Sequence, residues 1–77
     1  MAGTGLEQYR KRKGLTQAKV AEALGIDAGR MSRMEAGEII PTPEELDRLV
    51  VMLEVTPNYL FSKHVLAEVA ERARMAS

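Results

Sequence analysis

The sequence GLTQAKVAEALGIDAGRMSRMEAG, residues 14–37, decides the fold, because it contains two short helical patterns in succession. Thr16 is a good N-cap residue and predicts a helix over residues 17–24. Asp27 is an equally good N-cap and predicts a second helix over residues 28–36. The connection between the two helices is therefore only a few residues long.

Gly25 lies where glycine commonly ends a helix, and its flexible backbone suits a tight turn. The small side chain of Ala21 would let the two helices approach closely. The apolar residues recur at helical spacing and would form a shared seam: Val20, Leu24, Ile26, Met31 and Met34. Two helices joined in this way form a motif whose second helix can enter a DNA groove.

Upstream of this stretch, Thr4 and Glu7 have the spacing of a capping box. They predict a first helix that begins at Gly5 or Leu6 and ends at Lys13. Gly14 then follows as the residue that ends the helix.

Downstream, residues 42–45 read Thr-Pro-Glu-Glu and supply the N-cap, first-turn proline and capping acid of a fourth helix. Thr56 and Pro57 repeat the first two of these features and predict a short fifth helix. Ser62 is a candidate cap for a last helix that ends near Met75. No alternating apolar pattern predicts a strand, so the expected fold class is all-α.

Composition excludes several classes of function. The chain has 77 residues, no cysteine and one histidine, and it contains no metal-ligand spacing, phosphate-binding glycine loop or nucleophile motif. We therefore expect no enzyme activity, no metal and no small-molecule cofactor. No apolar run is long enough to span a membrane and no signal-peptide pattern is present, so we expect a cytoplasmic protein without a membrane partner.

Several residues of the 14–37 stretch carry a family resemblance. The sequence GLTQ at 14–17, Ala21, LGI at 24–26, Glu35 and Gly37 have the spacing of the helix-turn-helix core of phage-repressor and Cro-like transcription regulators. The chain resembles this family over residues 5–61. The resemblance implies a five-helix repressor-like helix-turn-helix domain over residues 1–61. Residues 62–77 would be an additional C-terminal helix, packed on the domain or on a dimer partner.

The resemblance also implies that residues 28–36 are the recognition helix, placed in the major groove of double-stranded DNA. At about 100° per residue, the side opposite Met31 and Met34 would face the bases. A mid-helix arginine there could bind guanine through two hydrogen bonds, and alanine could contact a thymine methyl group. The predicted base-contacting residues are Arg33, Arg30, Ser32, Ala28 and Gly29. The alternative for the two arginines is that they contact no base and are only solvated charges on the surface.

Gln17, at the start of the second helix, matches a family glutamine that contacts phosphate, aided by the helix dipole. Its alternative role is that of an exposed helix former. Thr16 and Lys19 are predicted to add phosphate contacts. Arg10 and Glu35 match a family pair that forms a structural salt bridge between the first and third helices.

One short recognition helix reads few base pairs, so a symmetric pair of subunits on a pseudo-palindromic operator is expected. The predicted homodimer interface lies in the C-terminal half: Tyr59, Phe61, Val65, Leu66 and Val69. These residues could instead close the core of a monomer. The alternative function is a helical protein-interaction module, such as an antitoxin or adaptor, which the zero net charge and the small side chains of Ala28 and Gly29 favour.

Overall fold

The computed structural model describes residues 4–76, which form five α-helices and one 3₁₀ turn without any strand. This confirms the predicted all-α class. The predicted short fifth helix is the 3₁₀ turn, and it is separate from the last helix. The domain limits predicted at residues 1 and 77 lie outside the described residues. The helices are α1 (Leu6–Arg12), α2 (Gln17–Leu24), α3 (Ala28–Glu35), α4 (Pro43–Leu53) and α5 (Lys63–Ala76), and the 3₁₀ turn is Pro57–Tyr59.

Side chains cap α2 and α3 as predicted. The Thr16 hydroxyl accepts a hydrogen bond from the backbone N–H of Lys19 at 3.1 Å. The Asp27 carboxylate accepts one from the backbone N–H of Arg30 at 2.7 Å. Each cap satisfies a backbone donor that has no partner within its own helix.

The capping box predicted at the start of α4 is complete. The Thr42 hydroxyl accepts the backbone N–H of Glu45 at 3.1 Å, and the Glu45 carboxylate accepts the backbone N–H of Thr42 at 2.8 Å. Pro43 occupies the first turn, where its missing N–H costs nothing. The start of α4 is therefore fixed by local chemistry alone.

The capping box predicted from Thr4 and Glu7 is wrong. Gly5 occupies the N-cap position of α1 and has no side chain to cap it, but the Thr4 hydroxyl accepts the backbone N–H of Leu6 at 3.2 Å. The Glu7 carboxylate does not bind the backbone N–H of Thr4, as it would in a capping box. Thr4 instead donates to the backbone carbonyl of Glu35, from its N–H at 3.0 Å and from its hydroxyl at 3.1 Å. That carbonyl lies at the end of α3 and lacks a helical partner, so Thr4 binds the start of α1 and the end of α3 together. Glu7 pairs with Lys11 one turn further along α1.

The turn between α2 and α3 depends on Gly25, which adopts a left-handed conformation with φ of 72°. Its N–H binds the carbonyl of Glu22, and the N–H of Ile26 binds the carbonyl of Ala21. A side chain at this φ would be strained, so glycine suits the position. The predicted seam between the helices is buried at Val20, Ala21, Leu24, Met31 and Met34, while Ile26 is half-buried.

The C-terminal helix α5 packs on α4 of its own chain through Val69. Phe61, which follows the 3₁₀ turn, is also buried. Both residues were expected at a dimer interface, but they close the hydrophobic core of the single chain. Their burial joins α4 and α5 into one core with the first three helices. None of the helices between residues 4 and 76 combines the length and apolar character that crossing a bilayer requires.

Gly5 marks a close approach between two backbones. A Cβ at this position would lie 2.0 Å from the carbonyl oxygen of Tyr59, and the N–H of Gly5 donates to the carbonyl of Leu60 at 3.1 Å. Gly29, in contrast, has room for a Cβ, whose nearest neighbours would lie at 3.4 Å. The same substitution should therefore have opposite effects at the two positions.

We expect Gly5→Ala to lower the free energy of unfolding by about 1–3 kcal/mol, because the backbone of Tyr59 must move to admit the methyl group. We expect Gly29→Ala to raise it by roughly 0.5–1 kcal/mol, because alanine has the higher helix propensity. Urea denaturation followed by circular dichroism measures both. Equal effects of the two substitutions would contradict the close approach at Gly5.

Candidate nucleic-acid interface

Helix α3 presents two different sides. Met31 and Met34 are fully buried against the core, and they hold one side of the helix on the protein. The other side is exposed to solvent along its length, at Ala28, Gly29, Ser32 and Arg33. The buried methionines thus determine which four residues face outward.

Arg33 is the cationic group of this exposed side and lies in the last turn of α3. Its guanidinium lies over Gly29, where an added Cβ would be 3.4 Å from Nη1 of Arg33. Within residues 4–76, the Arg33 side chain forms neither a hydrogen bond nor an ion pair. Its donors are therefore available to an acceptor outside the chain.

The start of α2 lies beside α3 and contributes further polar groups. Thr16 and Lys19 are exposed, and the Lys19 side chain has no ion pair with the described residues. Gln17 is half-buried, and its amide nitrogen donates to Oε1 of Glu35 at 2.7 Å. The sequence did not reveal this contact. Because an amide nitrogen carries two hydrogens, one remains for a second acceptor.

Arg10 and Glu35 form the ion pair that the family resemblance implied. Arg10 Nε lies 2.5 Å from Glu35 Oε2, and the two side chains are 8% and 5% exposed. Arg10 also donates to the carbonyl of Leu15 at 2.7 Å. The hydrogen bond that Arg10 donates to Glu35 raises the pKa of Arg10, although burial opposes it. Arg10 therefore lies inside the protein and joins α1, the connection to α2 and α3.

Arg30 forms a second ion pair, which the sequence did not predict. Its Nε and Nη2 donate to the two oxygens of Glu45 at 2.8 and 2.9 Å. These bonds hold the guanidinium against Glu45 of α4. The sequence signal for Glu45 was its position in a capping box, which gave no indication of a partner 15 residues away.

Hydrogen bonds from Arg30 lower the pKa of Glu45, and the backbone N–H of Thr42 acts in the same direction, while burial opposes both. Glu45 is therefore ionised at neutral pH. It satisfies the cap of α4 and the charge of Arg30 with one carboxylate.

The lysines at the end of α1 are paired with acidic residues. Lys11 Nζ lies 3.1 Å from Glu7, and Lys13 Nζ lies 3.1 Å from Glu54. Both pairs are exposed, so they contribute little to stability. Arg33 and Lys19 are therefore better candidates than these lysines for contacts with an anionic partner.

A family model described as a helix-turn-helix domain matches residues 2–60. The chain belongs to this helix-turn-helix family. No sequence among the curated proteins matches it. The fold of this helix-turn-helix protein is that of DNA-binding transcriptional regulators.

Three solved structures resemble this helix-turn-helix protein. The restriction-modification controller protein C.AhdI from Aeromonas hydrophila is 28% identical, with a TM-score of 0.63 over 74% of this chain and 86% of its own. The clp gene regulator ClgR from Corynebacterium glutamicum is 26% identical, with a TM-score of 0.64 over 94% and 71%. A complex of SinR and SinI proteins contains a chain that is 29% identical, with a TM-score of 0.66 over 99% and 78%.

Replacement of Glu35 by alanine should lower the free energy of unfolding by about 3–5 kcal/mol, because the buried Arg10 guanidinium loses its counter-charge. Denaturant titration followed by circular dichroism measures the change. Glu38 is exposed, and Glu38→Ala is the control, with an expected change within about 0.5 kcal/mol. If both variants were equally stable, Arg10 and Glu35 would not form a stabilising buried pair.

The pKa of Glu45 predicts a pH dependence of stability. A carboxyl group whose pKa is lower in the folded state contributes stability above its unfolded pKa, and this contribution is lost as the pH falls through the folded pKa. The wild-type protein should therefore lose stability in acid more steeply than Glu45→Gln, which cannot titrate. Thermal melts between neutral and acidic pH measure the two slopes. Parallel curves would show that the Glu45 pKa is unchanged by folding.

Proposed function

We propose that this protein is a sequence-specific transcriptional regulator that binds a pseudo-palindromic operator as a homodimer, with α3 in the major groove. The exposed side of α3 carries this proposal, because Arg33 lies there beside Gly29 and Ser32 and its side chain binds no other residue between 4 and 76. A helix with this side outward can lie against base edges without bulky side chains in the way. An arginine in that position has the geometry to bind guanine O6 and N7.

Arg33 is the main base-reading residue in this proposal. Ser32 is short enough to contact a base edge or a phosphate, and Ala28 offers a methyl group to thymine. Gly29 has no side chain and allows the start of α3 to lie close to the groove floor. Arg30 was also expected to contact a base, but its ion pair with Glu45 makes it a weaker candidate than Arg33.

Phosphate contacts are assigned to the start of α2. The backbone donors of this turn and the helix dipole favour an anion there. Thr16 and Lys19 are exposed at this end, and the second amide hydrogen of Gln17 can donate to a phosphate oxygen. These contacts would orient α3 without reading sequence.

The dimer is assigned to the surface formed by the 3₁₀ turn and α5. Tyr59 is 53% exposed, and Val65 and Leu66 are half-buried at the edge of the core. Leu66 lines an apolar groove between α4 and α5 together with Pro43 and Pro57. A second copy would cover this groove and place two recognition helices on one face of the DNA. Half-sites about 34–36 Å apart would then match one helical turn.

The direct test is selection of bound duplexes from a random pool, followed by gel shifts of the selected duplex at two salt concentrations. We expect a palindromic preference and a clear loss of affinity as salt increases, because counterions are released from the phosphates. Absence of any selected duplex would overturn the proposal. It would favour the helical protein-interaction module, a function consistent with the zero net charge.

Arg33→Ala should relax the base preference at one position of each half-site, at a cost of about 1–3 kcal/mol for the preferred base. Gel shifts with single-base variants of the selected duplex measure this preference. Lys11→Ala is the control, since it removes a positive charge from the exposed surface of α1, where Lys11 is paired with Glu7. If Arg33→Ala weakened binding to all sequences equally, Arg33 would be a phosphate contact.

Leu66→Glu should shift the protein from dimer to monomer, because it places a charge in an apolar contact. Sedimentation equilibrium measures the assembly state, and a thermal melt shows whether the monomer remains folded. Ala67→Glu, at an exposed neighbouring position, should leave the dimer intact. If both variants dimerised equally, the dimer interface would lie outside this groove.

A further inference from the structure

The ion pair between Arg30 and Glu45 bears directly on how α3 contacts DNA. Two hydrogen bonds of 2.8 and 2.9 Å join the guanidinium to the carboxylate. Both donors, Nε and Nη2, lie on one edge of the guanidinium, which is the bidentate arrangement that arginine adopts with carboxylates. The Arg30 side chain is 32% exposed, and that of Glu45 is 9% exposed. The pair therefore lies at the border between the core and the proposed DNA surface.

Glu45 is held in place independently of Arg30. Its carboxylate accepts the backbone N–H of Thr42 at 2.8 Å, and its own backbone N–H donates to the Thr42 hydroxyl at 3.1 Å. These bonds form the start of α4 and do not involve α3. Arg30 thus binds a fixed anion that is present whether or not DNA is bound.

The two arginines of α3 consequently differ in available charge. Arg33 makes no ion pair with any residue from 4 to 76, whereas Arg30 is neutralised by a carboxylate in direct contact. A phosphate that approached Arg30 would also approach Glu45, so the net attraction would be small. One arginine is free to bind DNA and the other is already bound.

We propose that Glu45 is a specificity-determining residue of the DNA surface. Glu45 occupies the hydrogen-bond donors of Arg30, so Arg30 does not bind the phosphates. Arg33 is then the arginine of α3 that contacts DNA. This pairing limits the attraction between the protein and DNA of any sequence, because the protein neutralises fewer phosphates. This inference rests on the proposed function in DNA binding.

The test compares wild-type protein with Glu45→Gln, which keeps an oxygen for the Thr42 N–H but releases the charge of Arg30. Dissociation constants are measured over a range of salt concentrations, for the selected duplex and for a scrambled duplex. We expect Glu45→Gln to bind the scrambled duplex more tightly. Its plot of log K against log salt should be steeper by about 0.9 per subunit, or about 1.8 for the bound dimer, because each subunit gains one phosphate contact.

Glu44→Gln is the matched control. Glu44 is the neighbouring, exposed residue of the same helix turn, so this variant removes the same formal charge without affecting Arg30. Its salt slope should equal that of the wild type. If both variants steepened the slope equally, the effect would be one of net charge and the inference would be overturned.

The double variant Arg30→Gln, Glu45→Gln provides a second test and a safeguard against misfolding, since two neutral side chains can still hydrogen-bond. Thermal melts establish that each variant is folded. We expect the salt slope of the double variant to return to the wild-type value, because Arg30 does not contact DNA in the wild type. A slope shallower than wild type by about 0.9 per subunit would show that Arg30 already contacts a phosphate and would overturn the inference.

The outcomes separate this inference from the proposed function. If the wild-type protein binds a selected duplex with a salt-dependent affinity but Glu45→Gln behaves as Glu44→Gln does, only the role of Glu45 fails. If the wild-type protein binds no duplex at all, both the proposed function and the role of Glu45 are overturned.

Discussion

The buried ion pair between Arg10 and Glu35 is the constraint on which the arrangement of the first three helices depends. Two opposite charges that are less than 10% exposed must remain together, because separation would leave one of them unsolvated. Gln17 and Leu15 add hydrogen bonds to the same pair, so the start of α2 is tied to α1 and α3 at one point. This attachment helps to fix the position of α2 relative to α3 where their apolar side chains pack together.

Helix α3 is held near both ends by charges that the protein itself satisfies. Glu35 at its last turn binds Arg10, and Arg30 in its first turn binds Glu45 of α4. Between them, Met31 and Met34 anchor the helix to the core. Electrostatic contacts thus set the position of α3 along its length, and hydrophobic contacts set its rotation.

The sequence predicted the local features of the fold well, because these depend on neighbours in the chain. The caps at Thr16, Asp27 and Thr42 and the glycine turn at Gly25 require only residues within one helical turn. The same logic failed for the pair of Thr4 and Glu7, because the Thr4 N–H donates to the carbonyl of Glu35, 31 residues away, and not to Glu7. Local propensity cannot anticipate a backbone carbonyl brought close by tertiary packing.

The candidate site was predictable to a similar extent. The outward side of α3 follows from helical periodicity, which placed Ser32 and Arg33 opposite the methionines. The pairing of Arg30 does not follow, because Glu45 reaches it only after α4 has packed against α3. The burial of Phe61 and Val69 in the core could not be predicted from the sequence either. An apolar residue suits the core of one chain and the interface of a dimer equally well.

The separation of functions within α3 has a consequence for evolution and redesign. Ala28, Gly29, Ser32 and Arg33 take no part in the core or in either ion pair of the helix. Mutations at these four positions can therefore accumulate without a large loss of stability, while Arg10, Glu35 and the two methionines stay unchanged. A scaffold of this kind can change the chemistry of its exposed surface at four positions, with no need to rebuild the helices that carry them.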